Sequence, residues 1–109
     1  YDYIALEKIR DRKTGKVKIK TKNLSEVKNR DLILVDDMIS TGGSIIKATQ
    51  FLKKQKSKRI YVACTHALLM NNAEKKIRKA GVTSIISTNT IPGKTSKVDI
   101  SKTIAKAIM

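Results

Sequence analysis

The rhythm of apolar and polar positions changes several times along this chain. Residues 31–36 read DLILVD, a short unbroken aliphatic run between two aspartates. Runs of this kind fit strands buried on both faces of a parallel sheet. From Ser44 the rhythm becomes helical. Ile45, Ile46, Ala48, Thr49 and Leu52 fall on one face, which predicts a helix reaching about Lys56. RIYVACT (59–65) and VTSIIST (82–88) repeat the buried-strand pattern. Residues 72–80 between them predict a second helix, closed by Gly81. The loop NTIPGKTSK (89–97) follows. VDISKTIAKAIM then predicts a short strand and a last helix with Ser101 as its N-cap.

Upstream of residue 30 the pattern is weaker. Tyr3 to Ile9 reads as a strand, and Val17 and Ile19 alternate with lysines after a Thr14-Gly15 turn. That stretch is too poor in apolar residues for a core, so residues 11–22 are expected to form a basic, flexible arm or hairpin. The order after residue 30 is strand, helix, strand, helix, strand, loop, strand, helix. Such alternation predicts an α/β fold, three-layered, with a mostly parallel sheet flanked by helices and right-handed crossovers. Residues 1–109 fit one domain. The chain opens mid-pattern on YDYIALEKI, which reads as the C-terminal part of a longer protein.

Composition changes this picture in two ways. One Phe, three Tyr and no Trp leave an aliphatic core. The formal net charge of +15 favours anionic partners, although lysines spread along the whole chain also describe a solvated surface. No aromatic platform for stacking bases is visible, which argues against a nucleic-acid reader. The single cysteine, Cys64, sits in an apolar run and excludes an internal disulfide. No run is long enough to span a bilayer, and a reducing cytoplasm fits the thiol.

The candidate chemistry lies where the first aliphatic run ends. Asp36 and Asp37 close the strand, and Ser40, Thr41, Gly42, Gly43 and Ser44 lead into the helix. Ligands of parallel sheets bind at the carboxyl ends of strands. Glycines permit a tight bend, and the helix start and three hydroxyls supply donors, which together make a phosphate cradle. The spacing is neither GxGxxG nor a P-loop. Carboxylates beside a phosphate make sense when the ligand also carries sugar hydroxyls, which carboxylates accept, or a metal. A sugar phosphate satisfies both ends. The plainer alternative is a turn in which Asp and Ser end a strand and start a helix.

LILVDDMISTGGSI resembles the phosphoribosyl-pyrophosphate loop of the type I phosphoribosyltransferase fold. Within that fold, LEKIR (6–10), YVACTH (61–66) and TNTIP (88–92), in this order, resemble the ribose-phosphate pyrophosphokinase (phosphoribosyl pyrophosphate synthetase) family. The resemblance implies transfer of diphosphate from ATP to the 1-hydroxyl of ribose 5-phosphate, with magnesium, giving phosphoribosyl pyrophosphate and AMP for nucleotide biosynthesis. It implies that Asp36 and Asp37 hold ribose hydroxyls and that Ser40 to Ser44 wrap the 5-phosphate. It makes Lys8 and Arg10 the catalytic cations, with residues 11–22 as a loop closing over ATP, and no metal ligand assigned. Residues 8 and 10 of a strand share a face, so both can reach one triphosphate. It also implies a cytoplasmic homo-oligomer in which a preceding domain, absent from this chain, supplies most adenine contacts. That absence predicts an exposed sheet edge or face. His66 ends a strand on the ligand side, which fits a place near substrate, a subunit contact or, equally, a hydrogen-bonded turn histidine, and Asn89 and Thr90 are expected to line the same end of the sheet near the site. The rival readings are a nucleobase phosphoribosyltransferase of the same fold and a non-enzymatic regulator that senses phosphoribosyl pyrophosphate and binds nucleic acid.

Overall fold

The computed structural model describes residues 7–10, 17–20 and 27–108. Strand β1 (Glu7–Arg10) pairs antiparallel with β2 (Val17–Lys20), with Lys8 opposite Ile19 and Arg10 opposite Val17. The expected basic arm therefore has a hairpin as its stem, and β2 lies against the first helix. The start of the expected first strand and the Thr14-Gly15 turn lie outside the described residues.

The remaining elements form a four-stranded sheet in the order β3-β4-β5-β6, parallel throughout. The strands are β3 (Leu32–Ile39), β4 (Ile60–Ala67), β5 (Val82–Thr88) and β6 (Ser96–Val98). Helices α1 (Gly43–Lys54) and α2 (Ala73–Ala80) form the crossovers, and α3 (Ser101–Ile108) closes the chain. This is the expected α/β architecture, a parallel sheet with flanking helices.

The core lies where α1 and α2 meet the sheet. Ile45 and Leu52 of α1 and Ala73 and Ile77 of α2 are buried with Ile60, Val62 and Cys64, which are alternate residues of β4. Thr49 of α1 is buried beside them. Thr49 donates its hydroxyl to Ile45 O at 2.7 Å, one turn back, so it costs the core no unpaired polar atom.

Because both helices pack against this alternation, the other face of the sheet is left open. The expectation that β3 is buried on both sides is corrected here. Leu32 and Leu34 pack on the core, but Ile33 is 67% and Val35 78% exposed. Two causes combine: β3 is an edge strand, and among the described residues none covers its outer face. Ile86 of β5 opens onto solvent in the same way. Exposed aliphatics at an edge are what a further layer of protein would bury.

The last helix is held by its start. Asp99, not the expected Ser101, caps it: Asp99 Oδ1 accepts from the Ser101 N–H at 2.8 Å and from the Ser101 hydroxyl. Asn89 clasps the same junction, donating to Asp99 Oδ1 at 3.0 Å and accepting from the Ile100 N–H at 3.0 Å. No residue of α3 is buried, and Ile108 is 81% exposed. A shallow cavity of about 390 Å³ separates its apolar side from Asn89 and Thr90.

The Ser101 donors hold the Asp99 carboxyl below its ordinary value of 3.8. A lowered folded-state pKa means that its stabilisation is complete above that ordinary value and is lost as pH falls through the lowered one. Asp99→Ala should therefore fray α3 at neutral pH, seen as faster amide exchange over residues 101–108. The parent chain should show the same loss only under acid.

Candidate functional site

The loop between β3 and α1 has a defined shape because the β4–α2 connection holds it. Leu68 and Leu69 donate their N–H groups to Ile39 O at 3.0 and 3.1 Å, and Met70 donates to Ser40 O at 2.8 Å. A trans peptide points its C=O and N–H in opposite directions. With Ser40 O turned to Met70, the Thr41 N–H points away from that support. The connection bends sharply to do this, with Leu69, Asn71 and Asn72 at φ of 49°, 55° and 58°. Asparagine tolerates this region, whereas leucine pays about 1–2 kcal/mol. Leu69 offsets that cost by packing against the core.

Gly42 is the N-cap of α1, at φ 81°. A Cβ there would lie 2.9 Å from Ile77 Cδ1 and 3.4 Å from Ala73 Cβ, so α2 closes on the glycine itself. Gly43 differs: among the described residues a Cβ there would meet nothing within 4 Å. Its lack of a side chain serves no packing, and the space it leaves faces outward. Helix α1 has no side-chain cap and no acidic residue in its first turn. The first N–H engaged by the helix is that of Ile46, on Gly42 O at 2.9 Å. Donors of the Gly43–Ile45 turn and the positive end of a 12-residue helix are thus presented together.

Residues 36–45 line a cleft of about 340 Å³, within the usual size of small-molecule sites. It contains every residue expected in the sugar-phosphate loop: Asp36, Asp37, Ser40, Thr41, Gly42, Gly43 and Ser44. The two carboxylates do not sit side by side. Strand alternation puts half-buried Asp36 on the helix side with Leu32 and Leu34, and exposed Asp37 on the open side with Ile33 and Val35. The cleft reaches both because it wraps the strand end. Asp36 faces Cys64 in register, and burial together with the Asp36 charge pushes the Cys64 thiol up, away from reactivity. The Ser40 hydroxyl is turned onto Met70 Sδ at 3.5 Å, and the Asp37 N–H is taken by Asp36 Oδ1 at 2.8 Å.

His66 lies opposite Met38 in the ladder and is exposed. Thr88 and Thr90 both donate their hydroxyl protons to Thr65 O, at 2.7 and 3.0 Å. His66 Nδ1 and Thr90 Oγ1 are hydrogen-bonded at 2.8 Å, which joins the ring to this hydroxyl cluster. Asn89 and Thr90, expected near the site, thus serve as struts, one for α3 and one for His66. Lys8 and Arg10 both lie on β1.

Among the described residues no group of three or more His, Cys, Asp or Glu side chains could cage a metal. Asp36 and Asp37 suit a magnesium ion carried mainly by substrate phosphates, since that ion usually takes only one or two carboxylates.

The family described as the phosphoribosyl synthetase-associated domain matches residues 6–109. The chain belongs to the phosphoribosyl pyrophosphate synthetase family. It is 43% identical over 112 residues to a protein named ribose-phosphate pyrophosphokinase from Sulfurisphaera tokodaii, covering 98% of this chain and 38% of that protein. The protein of the same name from Methanopyrus kandleri is 40% identical over 108 residues, covering 99% of this chain and 36% of its own length. The crystal structure of phosphoribosylpyrophosphate synthetase from Mycobacterium smegmatis superposes with a TM-score of 0.70 at 30% identity, over 87% of this chain and 33% of that one. The chain thus spans little more than a third of its named relatives, and no described helix is long and apolar enough to cross a membrane.

The two loop glycines should respond differently to alanine. Gly42→Ala combines a left-handed φ with a clash against fully buried Ile77, and should cost about 2–3 kcal/mol in urea unfolding. Gly43→Ala should leave stability within about 0.5 kcal/mol of the parent.

Proposed function

We propose that this chain is the ribose-phosphate-binding part of an enzyme that transfers diphosphate from ATP to the 1-hydroxyl of ribose 5-phosphate. The products are phosphoribosyl pyrophosphate and AMP, for nucleotide biosynthesis. The observation that carries this reading is the two-ended cleft at the carboxyl end of β3: uncapped helix donors over an open glycine at one end, carboxylates at the other.

Each part has a physical task. The 5-phosphate lies against the Thr41 to Ser44 amides and hydroxyls, where the positive end of α1 meets its charge. Asp36 and Asp37, reaching from the two sides of the strand end, accept hydrogen bonds from the ribose hydroxyls and orient the 1-hydroxyl. Magnesium, when bound with the triphosphate, supplies charge neutralisation there. Lys8 and Arg10, alternate residues of β1, steady the negative charge that develops on the transferring phosphoryl oxygens and the leaving AMP. The hairpin that carries them closes over ATP and excludes water. The remainder of the enzyme covers the open face at Ile33 and Val35 and supplies the adenine contacts. The whole works as a cytoplasmic homo-oligomer.

In the full-length protein, Asp36→Asn combined with Asp37→Asn should abolish ribose 5-phosphate binding by calorimetry while leaving the thermal transition in place. Unchanged affinity would remove the carboxylates from the site. Lys8→Ala should lower kcat by far more than it raises KM for either substrate, because its charge acts in the transition state. An unaltered kcat would make Lys8 an ordinary surface cation.

A further inference from the structure

A second concentration of charge lies at the opposite pole of the sheet, where the strands begin. The turn 27–30 and the segment 55–59 after α1 are stitched together there. Asn29 N–H donates to Lys56 O at 2.9 Å, and Lys58 N–H to Arg30 O at 2.8 Å. The Lys53 ammonium reaches Lys58 O at 2.7 Å. These bonds gather Lys28, Lys53, Lys54, Lys56, Lys58 and two arginines into one field at the surface. Residues 27–31 and 53–59 contain a single carboxylate, Asp31, and Arg59 already pairs with it at 3.0 Å.

Helix geometry explains only part of this. Lys53 and Lys54 complement the negative end of α1. Lys28, Lys56 and Lys58 lie beyond it. Lys56 sits at φ 63°, a conformation in which glycine or asparagine would be less strained, so a cation occupies a place the backbone would give to another residue.

The surface has the form that suits a long polyanion. The two cavities described above lie elsewhere, and neither draws on these residues to cradle a small anion. The apolar residues beneath, Val27, Leu52 and Ile60, are 1%, 3% and 0% exposed, and none can insert into a bilayer. Neither segment contains an aromatic residue on which bases could stack. The lack of aromatics that argues against a base-stacking reader has no bearing on contact with phosphates alone. We propose that this pole binds the sugar-phosphate backbone of a nucleic acid, without reading its sequence, and independently of the ribose 5-phosphate cleft at the other end.

The test is fluorescence anisotropy of the full-length protein with a short mixed-sequence DNA duplex, from about 50 to 200 mM salt. One variant combines Lys28→Gln, Lys54→Gln, Lys56→Asn and Lys58→Gln. A control with the same charge combines Lys75→Gln, Lys76→Gln, Lys102→Gln and Lys106→Gln. The pole variant should weaken binding at least about tenfold and flatten the slope of log affinity against log salt by about 3, near one unit for each phosphate no longer neutralised. The control should change the slope by less than about 1. Saturating ribose 5-phosphate should not displace the duplex. Equal loss in both variants, or no binding by the parent, would overturn the proposal. So would binding that appears only with vesicles of anionic phospholipid and depends on the same lysines.

Discussion

The shape of the β3–α1 loop depends on carbonyls that face inward. Ile39 O and Ser40 O are held by three N–H groups of the β4–α2 connection, and Gly42 is pressed against Ile77 and Ala73 of α2. Since each peptide is a rigid plane, fixing its acceptor on the protein side commits the next donor to the other side. The loop does not need a ligand to assume a donor-rich surface; the fold has already turned it that way. The cost appears in the supporting segment, where Leu69 adopts a left-handed backbone, and not in the loop itself. Donors held in place before the ligand arrives lose less ordering entropy on binding than donors that must be collected.

This division of labour explains why two adjacent glycines have unrelated reasons to exist. Gly42 answers to α2, through a positive φ and a contact that admits no side chain. Gly43 answers to no side chain or backbone among the described residues, and the space beside it stays open. Asp36 and Asp37 divide similarly. One lies beside buried Cys64 on the helix side, and the other stands on the open side next to the apolar edge.

Much of this is legible in the residues, and what is not has physical causes. The aliphatic runs predict β3, β4 and β5, and helical spacing predicts α1 down to its buried Thr49, because a single packed face leaves a period in the sequence. Gly81 marks the end of α2, as its φ of 125° requires. The run from Leu32 to Val35 misleads: an edge strand beside uncovered space has the same aliphatic composition as one buried on both faces. Periodicity cannot tell which partner is absent. The cap of α3 misleads for a local reason. Asp99 and Ser101 stand together at the helix start and both can cap, and Asn89, ten residues upstream, tips the choice by holding Asp99 in place. The bond from His66 to Thr90 depends on two strand ends meeting in space, so sequence places both residues near the ligand side without showing that they bind each other.

One consequence of parallel topology orders the ends of the helices. Right-handed crossovers in a parallel sheet send each helix back antiparallel to its strands, so helix starts lie at the carboxyl ends of the strands and helix ends at the amino ends. The positive end of α1 therefore falls at the cleft lined by residues 36–45 and its negative end at the opposite pole. A chain with a net charge of +15 has cations to spare, yet Ser40 to Ser44 contains none, and Lys53 and Lys54 follow at the far end of α1. A lysine inside the loop would add attraction for an anion, but it would also pair with Asp36 or Asp37 and take up their acceptor oxygens. A loop that offers only amides, hydroxyls and a helix start leaves those carboxylates without a lysine partner inside the loop. The fold thus sets neutral donors and a helix start at the cleft of a strongly basic protein, and it sets Lys53 and Lys54 where α1 ends.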